Sequence, residues 1–191
     1  KVIGNTEPQH QYSFRIGGAW KGFDLDMYFQ GIGKRDVWTQ SAFVMPFMRG
    51  VDAIYANETD YWDADPTKYP DGNSNGKYPR LFGGGAGQGQ IAVLNKGEFD
   101  FYPQSKYLVH MAYLRFKDLT IGYTLPQNLT LKADIQKVRF YFSADNLCEL
   151  INRSNAPVDP EINAVESGVS LGNATWGRID PMYRTMSFGV Q

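Results

Sequence analysis

The feature that most restricts this chain is its alternation of apolar and polar residues, the pattern of a strand whose successive side chains point to opposite faces. Between Gln11 and Trp20, the apolar Tyr12, Phe14, Ile16 and Trp20 share one parity, while Gln11, Ser13 and Arg15 take the other. Lys21-Gly22 follows as a two-residue reversal, with Gly supplying the positive φ of a tight hairpin turn. Phe23, Leu25, Met27 and Phe29 then alternate with Asp24, Asp26, Tyr28 and Gln30. Strand character returns from Tyr107 to Leu125, but Leu114 and Phe116 lie on one parity and Leu119, Ile121, Tyr123 and Leu125 on the other. One face stays apolar across that change only if the register slips, which predicts a β-bulge near Lys117-Asp118. Pro126 lacks a ladder donor and ends the strand. Asn128 to Gln136 reads as a short connection holding a helical turn, and Val138 to Asn146 as the next strand. In it Val138, Phe140, Phe142 and Ala144 oppose Arg139, Tyr141, Ser143 and Asp145. A last strand runs from about Met182, with Met186, Phe188 and Val190 on one side and Thr185, Ser187 and Gly189 on the other.

The segments between these strands differ sharply in length. Lys21-Gly22 and Pro126 to Lys137 are short, whereas Gly33 to Lys106 and Leu147 to Asp180 are long and rich in turn residues. Within the first long segment, Ser41 to Tyr55 has room for a short helix or two, interrupted by Pro46 and Gly50. Strict short-long alternation places every short turn at one end of the strands and every long loop at the other, the arrangement of outer-membrane barrels. Trp20, Phe23 and Tyr123 beside the short turns fit an interfacial aromatic girdle. The 191 residues contain no apolar run long enough for a transmembrane helix, and with a mean hydropathy of −0.41 this excludes a helical membrane span but not a membrane protein built of strands. Five antiparallel strands do not close a membrane barrel, and open edges in lipid cost several kcal/mol for each unpaired group. On the membrane reading the chain is therefore one part of a larger barrel. It begins at Lys1 without an initiator Met, and further chain is expected before it.

Composition narrows the alternatives. A net charge of −1 gives no basic excess for nucleic acid, and Cys148, the single cysteine, allows neither an intrachain disulfide nor a thiolate cluster. The same alternation would also suit a secreted soluble β-sandwich that binds carbohydrate, its apolar faces buried between two sheets. A β-rich hydrolase comes last, because no catalytic set is visible.

Particular motifs sharpen the membrane reading. Trp20-Lys21-Gly22-Phe23-Asp24-Leu25 with Phe29-Gln30-Gly31, Tyr61-Trp62 with Tyr78-Pro79-Arg80-Leu81, and Tyr113 to Pro126 (YLRFKDLTIGYTLP) occur in that order. Val138-Arg139-Phe140-Tyr141, Asp145-Asn146-Leu147, Asp159-Pro160-Glu161 and Arg184 to Gly189 (RTMSFG) follow. Together they resemble the SusC/RagA-like TonB-dependent transporters of the Bacteroidota outer membrane. The resemblance implies an all-β, antiparallel, up-and-down transmembrane barrel of about 22 strands. Residues 1–191 would supply its last five strands and two long extracellular loops. It also implies import of oligosaccharides or peptides without covalent chemistry or a cofactor, together with a SusD-like surface lipoprotein. Energy would come from the TonB–ExbB–ExbD complex acting through an amino-terminal plug that has no counterpart here, and the carboxyl terminus would be periplasmic. The family usually finishes on an aromatic residue, whereas this chain stops at Gln191, so a few further residues are expected.

For single residues the membrane reading assigns facings. Phe14, Phe23, Leu25, Phe140, Phe142 and Phe188 are expected to face lipid or pack the barrel. Asp24, Asp26, Arg139 and Asp145 are expected to face the lumen, since a charge at mid-depth on the lipid side costs up to about 4 kcal/mol. Tyr55, Tyr61, Trp62 and Trp176 in the long loops are candidates to stack on sugar or grip peptide at the entrance, although loop aromatics more often pack the loop itself. Gly87 to Ala92 fits the letters of a dinucleotide fingerprint but lacks the strand and helix that such a motif needs. Asp159 and Glu161 read as a turn and not as a glycosidase pair. Asp63, Asp65 and Asp71 lack calcium-loop spacing, and His10 and His110 have no partner ligands at metal spacing, so no metal site is expected.

Overall fold

The computed structural model describes residues 1–38, 54–63, 67, 73, 75–78, 104–154, 156–161, 180 and 182–191. The chain divides into two compact units. One, built from residues 8–35, 111–153 and 181–191, holds a five-stranded antiparallel sheet. Its strands are β1 (Gln11–Trp20), β2 (Phe23–Ile32), β5 (Tyr113–Thr124), β6 (Arg139–Asn152) and β7 (Thr185–Val190), in the spatial order β1-β2-β5-β6-β7. Each strand pairs with its sequence neighbour in the sheet, so this is a meander with β1 and β7 at the edges.

The first hairpin forms where the alternation places it. Trp20 pairs with Phe23, and Lys21 (φ 48) and Gly22 (φ 90) both take left-handed angles, the twist that matches a two-residue turn to its strands. The expected bulge is present. Tyr28 pairs with Asp118 and Phe29 with Phe116, so Lys117 is the extra residue opposite β2. The slip repeats against β6, where Phe116 pairs with Cys148 and Asp118 with Asp145. After Pro126, α1 (Gln127–Thr130) and a 3-10 turn at Leu131–Ala133 make the short connection, which Asp134 closes with φ 56.

Three boundaries differ from expectation. Tyr107 belongs to a 3-10 turn (Ser105–Tyr107), and β5 starts only at Tyr113. The strand expected to end at Asn146 continues to Asn152, so the second long loop starts at Arg153. Asn146 takes φ 51 at the slip opposite Lys117, and a second slip lies between Leu114 and Arg115. Two irregularities so close together break the period-two signal without ending the ladder. The last strand begins at Thr185, three residues later than its first expected position.

The other unit comprises residues 1–7, 36–110 and 154–180. There β3 (Asp36–Val37) pairs with β4 (Val109–His110), both short pieces inside stretches without sustained alternation. The Asp36 N–H donates to the Asn5 carbonyl at 2.9 Å, and His110 Nδ1 lies 2.6 Å from the buried Asp36 carboxylate. A 3-10 turn at Ala56–Glu58 and a parallel bridge between Tyr61 and Tyr78 organise the described part of the long loop. The Ser41 to Tyr55 helix expectation and the Gly87 to Ala92 motif fall almost wholly outside the described residues, as do Asp65 and Asp71. No helix among the described residues is long and apolar enough to cross a membrane.

Candidate functional site: the two faces of the sheet

Register carries the alternation of single strands into two chemically opposite faces. Across the sheet, Trp20, Phe23, Tyr123, Phe140 and Val190 occupy one row, then Leu25, Ile121, Phe142 and Phe188, then Ile16, Met27, Leu119, Ala144 and Met186. Beyond the bulge the row Phe14, Phe29, Phe116 continues on the same face, because the extra Lys117 resets the parity of β5. Neighbouring rings touch: Phe14–Phe29 at 4.7 Å, Phe29–Phe116 at 4.5 Å, Phe23–Tyr123 at 4.4 Å and Phe142–Phe188 at 4.9 Å between centroids. Each such pair contributes roughly 0.5–1.5 kcal/mol beyond its buried area. Despite these contacts Phe14, Phe23, Leu25 and Phe140 are exposed, and Phe188 on the edge strand is 84% exposed.

The opposite face is polar and internally paired. Asp24, Asp26, Arg139 and Asp145 all lie on it, joined by Arg15, Asp118, Arg115 and Glu149. Arg15 Nε donates to both oxygens of Asp26, at 2.8 and 2.9 Å, from β1 to β2. Arg139 reaches from β6 over β5 to Asp24 on β2, with Nε 3.0 Å from Oδ1 and Nη2 2.5 Å from Oδ2. That span is possible because Gly122 lies beneath it. A Cβ there would sit 2.5 Å from both Arg139 Nη2 and Asp24 Oδ1. The buried Arg115 pairs with Glu149, whose other oxygen accepts from Asn152 Nδ2 at 2.8 Å. Asp118 and Asp145 are directly opposite each other, a like-charge pair that by itself disfavours the ladder.

Four charged members of this face were not singled out from sequence. Arg15 had a usable signal: a two-residue turn fixes the register, and that register puts Arg15 one diagonal step from Asp26. Asp118, Arg115 and Glu149 sit beside the register slips, where no parity argument assigns a face.

The loop aromatics divide. Tyr61 contributes its backbone to the bridge with Tyr78, and its carbonyl accepts from Asn73 Nδ2 at 2.7 Å. The Tyr55 N–H donates to Glu58 Oε2 at 2.9 Å in the adjoining turn. Tyr78 is buried, and its hydroxyl accepts from Asn57 Nδ2 at 2.8 Å. These contacts pack the loop onto itself, whereas the Trp62 ring is exposed. Trp176 lies outside the described residues. The Glu161 N–H donates to Asp159 Oδ1 at 2.9 Å, which makes this acid pair a turn device. Among the described residues no three His, Cys, Asp or Glu side chains are grouped to hold a metal.

Comparison with known proteins agrees with this architecture. No family model matches the chain. The chain is 27% identical over 194 residues to TonB-dependent receptor P3 of Formosa agariphila, an alignment covering all of this chain and 17% of that protein. Among solved structures, a chain of the RagAB peptide transporter matches 80% of this chain and 15% of its own length, with TM-score 0.51 at 19% identity. The RagAB peptide importer in its closed-closed state gives TM-score 0.49 at 20% identity. The chain thus spans less than a fifth of each protein it resembles.

Proposed function

We propose that this chain, similar along its whole length to part of a TonB-dependent receptor, forms a section of the wall of an outer-membrane importer. Its apolar face, with Phe14, Phe23, Leu25, Phe140, Phe142 and Phe188, meets lipid, and its polar face, with Asp24, Asp26, Arg139 and Asp145, lines a wet lumen. The observation that carries this reading is the gathering of the ion pairs on one face of a sheet whose other face carries rows of large apolar side chains, with Phe14, Phe23, Leu25, Phe140 and Phe188 exposed. A soluble sandwich would need a second sheet against Phe23, Phe140 and Phe188. The only other sheet among the described residues is the two-residue ladder of β3 and β4.

The chain supplies five adjacent strands of a barrel of about 22. The edges of β1 and β7 continue into strands from the rest of the protein, since unpaired backbone in hydrocarbon costs several kcal/mol per group. The short turns are periplasmic, and the two long connections form part of the extracellular mouth, where Trp62 is the exposed aromatic best placed to meet cargo. A SusD-like lipoprotein covers that mouth, and a plug elsewhere in the protein couples it to TonB–ExbB–ExbD. Cargo is an oligosaccharide or a peptide. The name of the RagAB neighbour favours peptide, and the protein moves its cargo without covalent chemistry.

Fractionation of cells producing the full-length protein tests this directly. The protein is expected in the outer-membrane fraction and to need detergent for release. Recovery as a compact soluble monomer without detergent would overturn the proposal.

A further inference from the structure

The short-turn end of the sheet carries a second chemical pattern. The Thr124 N–H donates to the Gly22 carbonyl at 2.8 Å and the Leu125 N–H to the Val138 carbonyl at 2.9 Å, so the two short connections are held side by side. The longer one leaves its large apolar side chains uncovered: Leu129 is 52%, Leu131 55% and Ile135 45% exposed. Beside them on the hairpin, Trp20 is 71% exposed, with Lys21 Nζ 4.8 Å from its ring centre. Lys132 and Lys137 add two exposed cations against one exposed acid, Asp134, while Asp24 at this end is already bound by Arg139.

Water is a poor neighbour for three exposed aliphatic side chains within seven residues. The accompanying charge and rings identify a better one. Aromatic residues with an amphipathic edge, Lys side chains that extend beyond them, and aliphatic side chains beneath are what a bilayer interface selects, and the excess positive charge complements anionic phosphate. The patch is also continuous with the apolar face, since Trp20, Phe23, Tyr123 and Phe140 form the last row of that face before the turns. We infer that the Pro126 to Lys137 connection, with Trp20-Lys21, is a phospholipid anchor whose Leu129, Leu131 and Ile135 enter the adjoining leaflet while Lys21, Lys132 and Lys137 bind its phosphate headgroups. This inference rests on the lipid-facing reading of the sheet.

The test uses the full-length protein, with Cys148 and every other native cysteine replaced by Ser, reconstituted in vesicles of phosphatidylcholine and phosphatidylglycerol. A spin label is placed in turn at Leu131→Cys, Ile135→Cys, Asp134→Cys and Phe188→Cys, and its collisions with oxygen are compared with those with a water-soluble nickel chelate. Labels at 131 and 135 are expected to meet oxygen more than nickel, and the label at 134 the reverse. A label at 131 that meets nickel more lies in water, and one that meets neither is covered by protein; both results overturn the anchor. Phe188→Cys separates the two readings. If it meets oxygen while 131 does not, the anchor alone fails, whereas nickel access at 188 removes the lipid-facing sheet as well. The oxygen-to-nickel ratio at 131 is further expected to fall when phosphatidylglycerol is omitted, and that difference to vanish in the Lys21→Gln, Lys132→Gln, Lys137→Gln variant. A ratio indifferent to phosphatidylglycerol in the unsubstituted protein overturns the headgroup assignment.

Discussion

Gly122 is where the polar face depends on one missing side chain. The Arg139–Asp24 pair crosses an intervening strand, and it does so through the space a Cβ at 122 would occupy. The atoms in the way are the far ends of two flexible side chains, so a methyl group displaces the ion pair and leaves the backbone in place. Gly122→Ala is therefore expected to destabilise the sheet moderately, on the order of 1 kcal/mol as for other overpacked sites. A lower urea midpoint for the detergent-solubilised full-length protein would register it. The same change made beside Asp24→Asn and Arg139→Gln should have a much smaller effect, because the pair it disturbs is already gone. Equal effects in both backgrounds would show that crowding of something else sets the requirement. Asp24 and Arg139 were each legible as polar-face residues from parity. Their pairing was not, since they lie 115 residues apart and only the register through β5 brings them together.

At the level of elements, the bulge at Lys117 decides whether the sheet has two faces at all. Without it, Leu114 and Phe116 would share a face with Asp118, and Arg115 one with Leu119 and Ile121, which breaks both the apolar rows and the ion pairs. Deletion of Lys117 removes the extra residue and leaves Leu114, Phe116, Leu119 and Ile121 in one unbroken period-two series, so this variant is expected to assemble and keep the folded, heat-modifiable band. Loss of that band would mean that the bulge itself, and not the parity it resets, is what the sheet requires. The two faces should also differ in tolerance. Phe142→Arg places a charge among Ile121 and Phe188, well inside the sheet, and is expected to impair assembly by about 2–4 kcal/mol. Asp145→Ala removes one of two opposed carboxylates and is expected to be harmless or mildly stabilising. Similar losses from both would refute the facing proposed for this sheet. Strands with an unbroken period were readable from sequence, β1 at both ends and β2 at its start, as was the need for a bulge. The far half of β6 was not, because two slips within a few residues erase periodicity while the backbone ladder persists. Nor were β3 and β4, which are too short to show a period.

On the scale of the whole molecule, a meander with alternating short and long connections has an inherent polarity, because every short turn leaves one end of the sheet and every long loop the other. That polarity was visible in the spacing of strands along the sequence, yet spacing alone does not say which end faces outward. Likeness to a TonB-dependent receptor supplies the direction we propose, with the long connections outside. Single cysteines read it out in the full-length protein with Cys148 and every other native cysteine replaced by Ser. Asn75 is exposed in the first long connection and Asp134 in the second short one, so each accepts a cysteine without loss of packing. On intact cells a membrane-impermeant maleimide is expected to label Asn75→Cys but not Asp134→Cys. After the outer membrane is permeabilised, both should react. If Asp134→Cys reacts on intact cells while Asn75→Cys does not, the sheet is inserted the other way round, and the loop aromatics, Trp62 among them, lie on the wrong side to meet cargo.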